Sequence, residues 1–253
     1  MSMIRDTWTM AKRSLRHTTR SMDTIITVVI TPIAMMLLFV YVFGDSFQKS
    51  LGDIKYIDFI TPAIIIMTVV SGIAYAAVRL SMDMQNGIIN RFKTMPVALS
   101  SILGGHALSS TLSNLFSSVL VLLVALLVGF RSNAEPMEWL LFGLLTVLFT
   151  LATTWLAILF GLMAKTVEGA GAFSYILLLL IFISSGFTPV SNMHPALRWF
   201  AENQPMTPII ETMRSLLTNG SIGSSAVIAF GWCIALLILS YTLALRAYNA
   251  KTI

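Results

Sequence analysis

Six apolar runs constrain this chain of 253 residues more than any motif in it. They lie at roughly 24–44, 58–78, 107–130, 139–163, 170–190 and 223–245. A helix rises about 1.5 Å per residue and a bilayer's hydrocarbon core is about 30 Å thick, so about 20 apolar residues cross it. Each run meets that length, the fifth with a loose far end at Ser184, Ser185, Gly186 and Pro189. Residues are 57% hydrophobic and 11% charged, whereas a soluble domain carries about a quarter charged residues. The expected fold class is therefore an all-α membrane protein, with one transmembrane domain over residues 1–253.

Orientation follows from where the basic residues fall. Six spans put both termini on one side. The segments on that side (1–23, 79–106, 164–169 and the C-terminus) hold 11 Lys and Arg, and the alternate segments (45–57, 131–138 and 191–222) hold 5. Positive charge is retained on the cytoplasmic face of a cell membrane, so both termini are expected there. Within residues 1–23, Ile4, Trp8, Ala11 and Leu15 share one helical face and Arg5, Lys12, Arg16 and Arg20 the other. That pattern predicts an interfacial amphipathic helix lying on an anionic leaflet. A signal peptide is the competing reading, but the following run is long and lacks a small-x-small cleavage site.

Two connections carry more pattern than a linker needs. In 79–106, Ile88, Ile89, Phe92 and Met95 alternate with Asn90, Arg91 and Lys93 at helical spacing, and Pro96 follows. This predicts a short amphipathic helix held under the membrane to meet a partner. In 191–222, Pro195, Pro205 and Pro208 divide the chain into short pieces beside Trp199 and Phe200. Aromatic side chains favour the membrane surface, so a short helical hairpin dipping into the outer leaflet is expected. There Glu211 and Arg214 are three apart on one helix and within reach of each other, a solvated pair of small energetic value. The Asn219-Gly220-Ser221 triplet matches the glycosylation acceptor pattern, which is common by chance.

Several chemistries are disfavoured. The chain has no phosphate-binding G-x-x-x-x-G-K-[ST] loop, no HExxH and no Ser/His/Asp arrangement within the spans, and His17, His106 and His194 are scattered. No catalytic residue, metal site or nucleic-acid contact is expected, and the single cysteine, Cys233, allows no intrachain disulfide. Every span centre is uncharged, which disfavours an ion-coupled carrier, because such carriers keep costly ionisable groups at membrane depth. A passive channel, or a membrane-embedded assembly partner, stays open on these grounds. Neutral polar residues do occur inside the spans: Ser110, Asn114 and Ser117 on the third, Ser71 and Tyr75 on the second. They serve either interhelical packing or the lining of a cavity for an amphipathic substrate.

With these residues in hand, the chain resembles the permease subunit of type 2 ATP-binding-cassette exporters, a group that includes bacterial drug and antibiotic efflux permeases and polysaccharide or teichoic acid exporters. The likeness rests on the second span and its sequel, with Asp83, Gly87, Arg91 and the Met95-Pro96 pair. It rests also on ISSGFTPVSNMHPALRWFAENQPMTPIIETMRSLL, with Gly186, Pro189, Met193, Pro195, Pro205, Glu211 and Arg214 in order. Where the family has an acidic cluster, Asp83 here stands alone with Gln85 and Asn86 before Gly87.

The resemblance implies that Gly87 to Val97 is a coupling helix docking into a separate ATPase subunit. Phe92 and Met95 would be apolar plugs and Arg91 and Lys93 charged locks, with Asp83, Gly87 and Pro96 also among the ATPase-coupling residues. It implies an outer hairpin capping the exit, a dimer with an identical or similar permease, and two ATPase subunits carrying ATP and magnesium. This chain itself would hold no cofactor. The short loop between the first two spans favours a small drug-like or lipid-like substrate over a long polymer.

Overall fold

The structure, a computed structural model, describes residues 26–49, 51–52, 54–86, 99–218 and 223–252. The expected N-terminal helix over 1–23, the glycosylation triplet at 219–221 and the coupling residues Gly87, Arg91, Phe92, Lys93, Met95 and Pro96 lie outside them. Among the described residues the chain is mostly helical, without strands. A wide turn at Ile26–Ile30 leads into α1 (Thr31–Tyr41), followed by α2 (Gly44–Gln48), α3 (Tyr56–Gln85), α4 (Leu99–Val128), α5 (Pro136–Met163) and α6 (Val167–Phe182). Then come α7 (Pro195–Asn203), α8 (Met206–Thr218) and α9 (Ser224–Thr252).

Four helices are long and apolar enough to cross a membrane: α3, α4 from Leu103, α5, and α9 to Tyr248. The helical stretches Ile26–Tyr41 and Val167–Phe182 are apolar but shorter. The bundle is organised around α3, whose most apolar stretch is 89% buried against 22% for α9. It packs on α1, α4, α5, α6 and α8, while α9 lies mainly along α5. Close approach needs small residues. A Cβ on Gly161 of α5 would stand 2.8 Å from the Ala77 carbonyl of α3, and such contact is how helices associate tightly where lipid supplies no hydrophobic drive.

Local chemistry explains most helix ends. Pro32 lacks an N–H, so the ladder cannot pass through it regularly. The chain answers with the wide turn before it, where the Thr31 hydroxyl donates to the Ile26 carbonyl at 3.2 Å. Helix α5 starts at Pro136 with a capping box, the Glu135 N–H donating to Glu138 Oε2 at 2.7 Å. Thr166 caps α6 by accepting from the Gly169 N–H at 3.1 Å.

Two expected boundaries are corrected. The fifth run was expected to span 170–190, but α6 stops at Phe182. The Ser184 hydroxyl donates to the Ile181 carbonyl and accepts from the Gly186 N–H, drawing the backbone out of the helix. The link between the second and third spans was expected to cover 79–106, but α3 continues to Gln85 and α4 begins at Leu99. At 30 residues α3 is about 45 Å long, longer than the hydrocarbon core, and its polar end needs no break to leave the lipid.

Candidate functional site

Three polar groupings lie along α3, each built by different neighbours. At its Gln85 end, His106 Nε2 lies 3.2 Å from Asp83 Oδ2, joining α3 to α4 across the connection between them. The two side chains are 13% and 28% exposed. Arg79, one turn earlier, lies within reach of the Asp83 charge. Beneath this pair an apolar cluster closes the end of the bundle, with Leu80 of α3, Leu103 and Ala107 of α4, Ile158 and Leu162 of α5 and Tyr248 of α9.

Midway along α3, Gly72 makes room for Asn114 of α4. A Cβ on Gly72 would fall 1.6 Å from Asn114 Oδ1. Asn114 is buried and donates to the Ser110 hydroxyl at 3.4 Å, and Ser71 and Ser117 are buried too. The Tyr75 hydroxyl donates to Thr27 Oγ1 at 3.0 Å, tying α3 to the turn before α1. The structure thus places Ser71, Tyr75, Asn114 and Ser117 among contacts within one chain.

The Tyr56 end is the most heavily built. Arg214 of α8 donates through Nε to the Phe59 carbonyl at 3.0 Å and through Nη2 to the Ser185 carbonyl at 2.7 Å. Its guanidinium carbon sits 3.6 Å from the centre of the Phe59 ring. Burial pushes this guanidinium down to about 10, with Glu211 acting in the opposite direction, so Arg214 is a cation at neutral pH. Arg214 is therefore a fork holding two backbone carbonyls, where a solvated pair with Glu211 was expected.

The last turn of α6 and the irregular stretch after it are held from two further directions. Gln204 Nε2 donates to the Leu180 carbonyl at 2.8 Å, and the Tyr56 hydroxyl to the Phe187 carbonyl at 3.2 Å. Gly186 presses against α3, where a Cβ would stand 2.8 Å from Ala63 Cβ. Aromatic rings surround this knot: Phe39 and Phe182 each lie 4.8 Å from Phe187, and Phe47 lies 5.3 Å from Tyr56. In lipid every carbonyl needs a donor, and non-helical backbone persists only where protein supplies one.

The hairpin expected between the last two spans is present as α7 and α8. Pro189 precedes a short turn at Val190–Asn192, Pro195 opens α7, and Pro205 stands just before α8. Helix α7 exposes Leu197, Trp199 and Phe200, while α8 buries Met206, Ile209, Ile210, Met213, Leu216 and Leu217 against the bundle. Sequence reasoning singled out Gly186 and Arg214 but missed Tyr56, Phe59, Ser185, Gln204 and His106. No local pattern could reveal them, since each meets a partner between 23 and 155 residues away or lends it a backbone carbonyl.

Comparison with known proteins bears on both ends of α3. The daunorubicin resistance ABC transporter permease protein DrrB1 of Streptomyces coeruleorubidus is 26% identical over 200 residues, covering 79% of this chain and 70% of that protein. A Mycobacterium tuberculosis protein, named as the probable doxorubicin resistance ABC transporter permease DrrC, is 23% identical over 221 residues, or 87% of this chain and 79% of its own length. The inner membrane transport permease YadH of Escherichia coli is 26% identical over 193 residues, 73% of each chain. The description "ABC-2 type transporter" matches residues 5–218, from before α1 to the end of α8, and the chain belongs to that family.

Proposed function

We propose that this chain is the translocating subunit of an ATP-driven exporter. It spans the cell membrane six times with both termini in the cytoplasm, and a separate ATPase drives it. The observation that carries this reading is the family match over 5–218, which runs through both the 87–98 segment and the α7–α8 hairpin. The two shorter apolar helices supply the first and fifth spans, and the 11 to 5 division of basic residues supports the orientation.

In this reading Gly87, Arg91, Phe92, Lys93, Met95 and Pro96 form the element that docks into the ATPase. Two ATPase subunits, holding ATP and magnesium, serve two permease copies. Leu38 of α1 and Tyr175, Ile176 and Leu179 of α6 are exposed apolar side chains available to lipid or to the second copy across the route. Closure of the ATPases moves the Gln85 end of α3, and α3 carries the displacement to the hairpin that caps the exit. The substrate is a small amphipathic molecule, drug-like or lipid-like. The drug-resistance names of two relatives support that class.

Purification of the chain with its native neighbours tests the reading. The permease should bring down an ATPase and raise its hydrolysis rate in lipid. A chain that purifies alone and conducts solute passively would instead be a channel, and one that accumulates solute on an ion gradient without nucleotide would be a carrier.

A further inference from the structure

We infer that Asp83 and His106 form a clasp that locks the two roots of the 87–98 segment together, so that a push on this segment reaches α3 and α4 as one body. The inference deepens the exporter reading and rests on it. It gives Asp83 a partner inside the chain, whereas the family resemblance had set it toward the ATPase, and it gives His106 a role for the first time. Both are positioning residues: they act through the segment they hold.

The geometry argues for a built contact. Asp83 leaves the last turns of α3 and His106 the second turn of α4, and their side chains meet at 3.2 Å while both are largely covered. The Nε2–H of an imidazole donates to a carboxylate whether the ring is neutral or charged, so the contact does not depend on one protonation state. Leu80, three residues before Asp83, and Leu103 and Ala107, on either side of His106 in the chain, belong to the apolar cluster from α3, α4, α5 and α9. Arg79 adds a cation one turn along α3, within reach of the Asp83 charge. Without the tie, only apolar packing and the connecting segment hold the two helix ends together, and apolar packing lets them slide, so part of the thrust is lost.

A cross-link can replace the tie. In a Cys233→Ala background, Asp83→Cys with His106→Cys is made in the full chain, assembled with its ATPase in lipid vesicles. Reduced, this variant should transport about tenfold less per ATP hydrolysed, within the usual range of coupling between distant sites. Oxidised, it should recover at least half of the parent rate. The exchanged pair Asp83→His with His106→Asp should recover transport as well, while His106→Leu alone keeps its ATPase bound and loses transport. Transport in His106→Leu within about twofold of the parent overturns the clasp, as does oxidation that forms the cross-link without gain. A parent chain that binds no ATPase sinks the exporter reading instead, and cross-linking still reports the clasp.

Discussion

The two ends of α3 are held in opposite ways. At the Tyr56 end, three side chains from other parts of the chain converge on the last turn of α6 and the backbone after it, and aromatic rings close around them. At the Gln85 end, one contact between Asp83 and His106 joins α3 to α4 over an apolar cluster. The difference follows from what each end must support. Irregular backbone at membrane depth carries carbonyls that water cannot reach, so it survives only when over-determined. In the proposed exporter the Gln85 end leaves the lipid, where water can serve its backbone, and one tie would hold it while it follows a partner.

This contrast can be broken most severely at Arg214. Arg214→Ala strips the donors from the Phe59 and Ser185 carbonyls and should lower stability by about 3 kcal/mol, read by reversible unfolding in mixed micelles. Arg214→Lys should recover only part of this, because one ammonium cannot reproduce the planar fork. Next comes Gly186→Val, which drives a side chain against Ala63 and Ile210 and should cost about 1–3 kcal/mol. A loss below about 0.5 kcal/mol in either position would mean the Tyr56 end is not the rigid one.

Smaller effects sharpen the comparison from the other side. His106→Leu should change unfolding free energy by less than about 1 kcal/mol even where transport falls, since it removes one partly exposed contact above an intact cluster. A loss equal to that of Arg214→Ala would make the two ends alike. Arg198→Ala in α7 is the control. It breaks an exposed pair with Glu202 at 2.7 Å and should move stability by less than about 0.5 kcal/mol.

Much of the fold was legible because lipid imposes a length rule on the chain. The runs at 107–130, 139–163 and 223–245 coincide with α4, α5 and α9 to within a few residues at most ends. The fifth run reads as loose at Ser184, Ser185, Gly186 and Pro189, and α6 stops just before them at Phe182, where the Ser184 hydroxyl donates to the Ile181 carbonyl and accepts from the Gly186 N–H. The candidate site was legible in part. Gly186 and Arg214 stood out as motif positions, yet Arg214 read as a solvated neighbour of Glu211, since spacing of three on a helix is a local signal and the Phe59 carbonyl is not. His106 read as a scattered histidine for the same reason.

Composition and the spacing of apolar runs alone decided that this chain crosses a membrane as helices, because every backbone polar group in hydrocarbon must be satisfied within its own segment. Only the tertiary structure decided that α3 is the buried axis, that α6 breaks off where Arg214, Gln204 and Tyr56 can catch its carbonyls, and that Asp83 faces His106. Those are meetings between residues far apart in the chain, and packing, which depends on shape across helices, selects them where periodicity along one helix cannot.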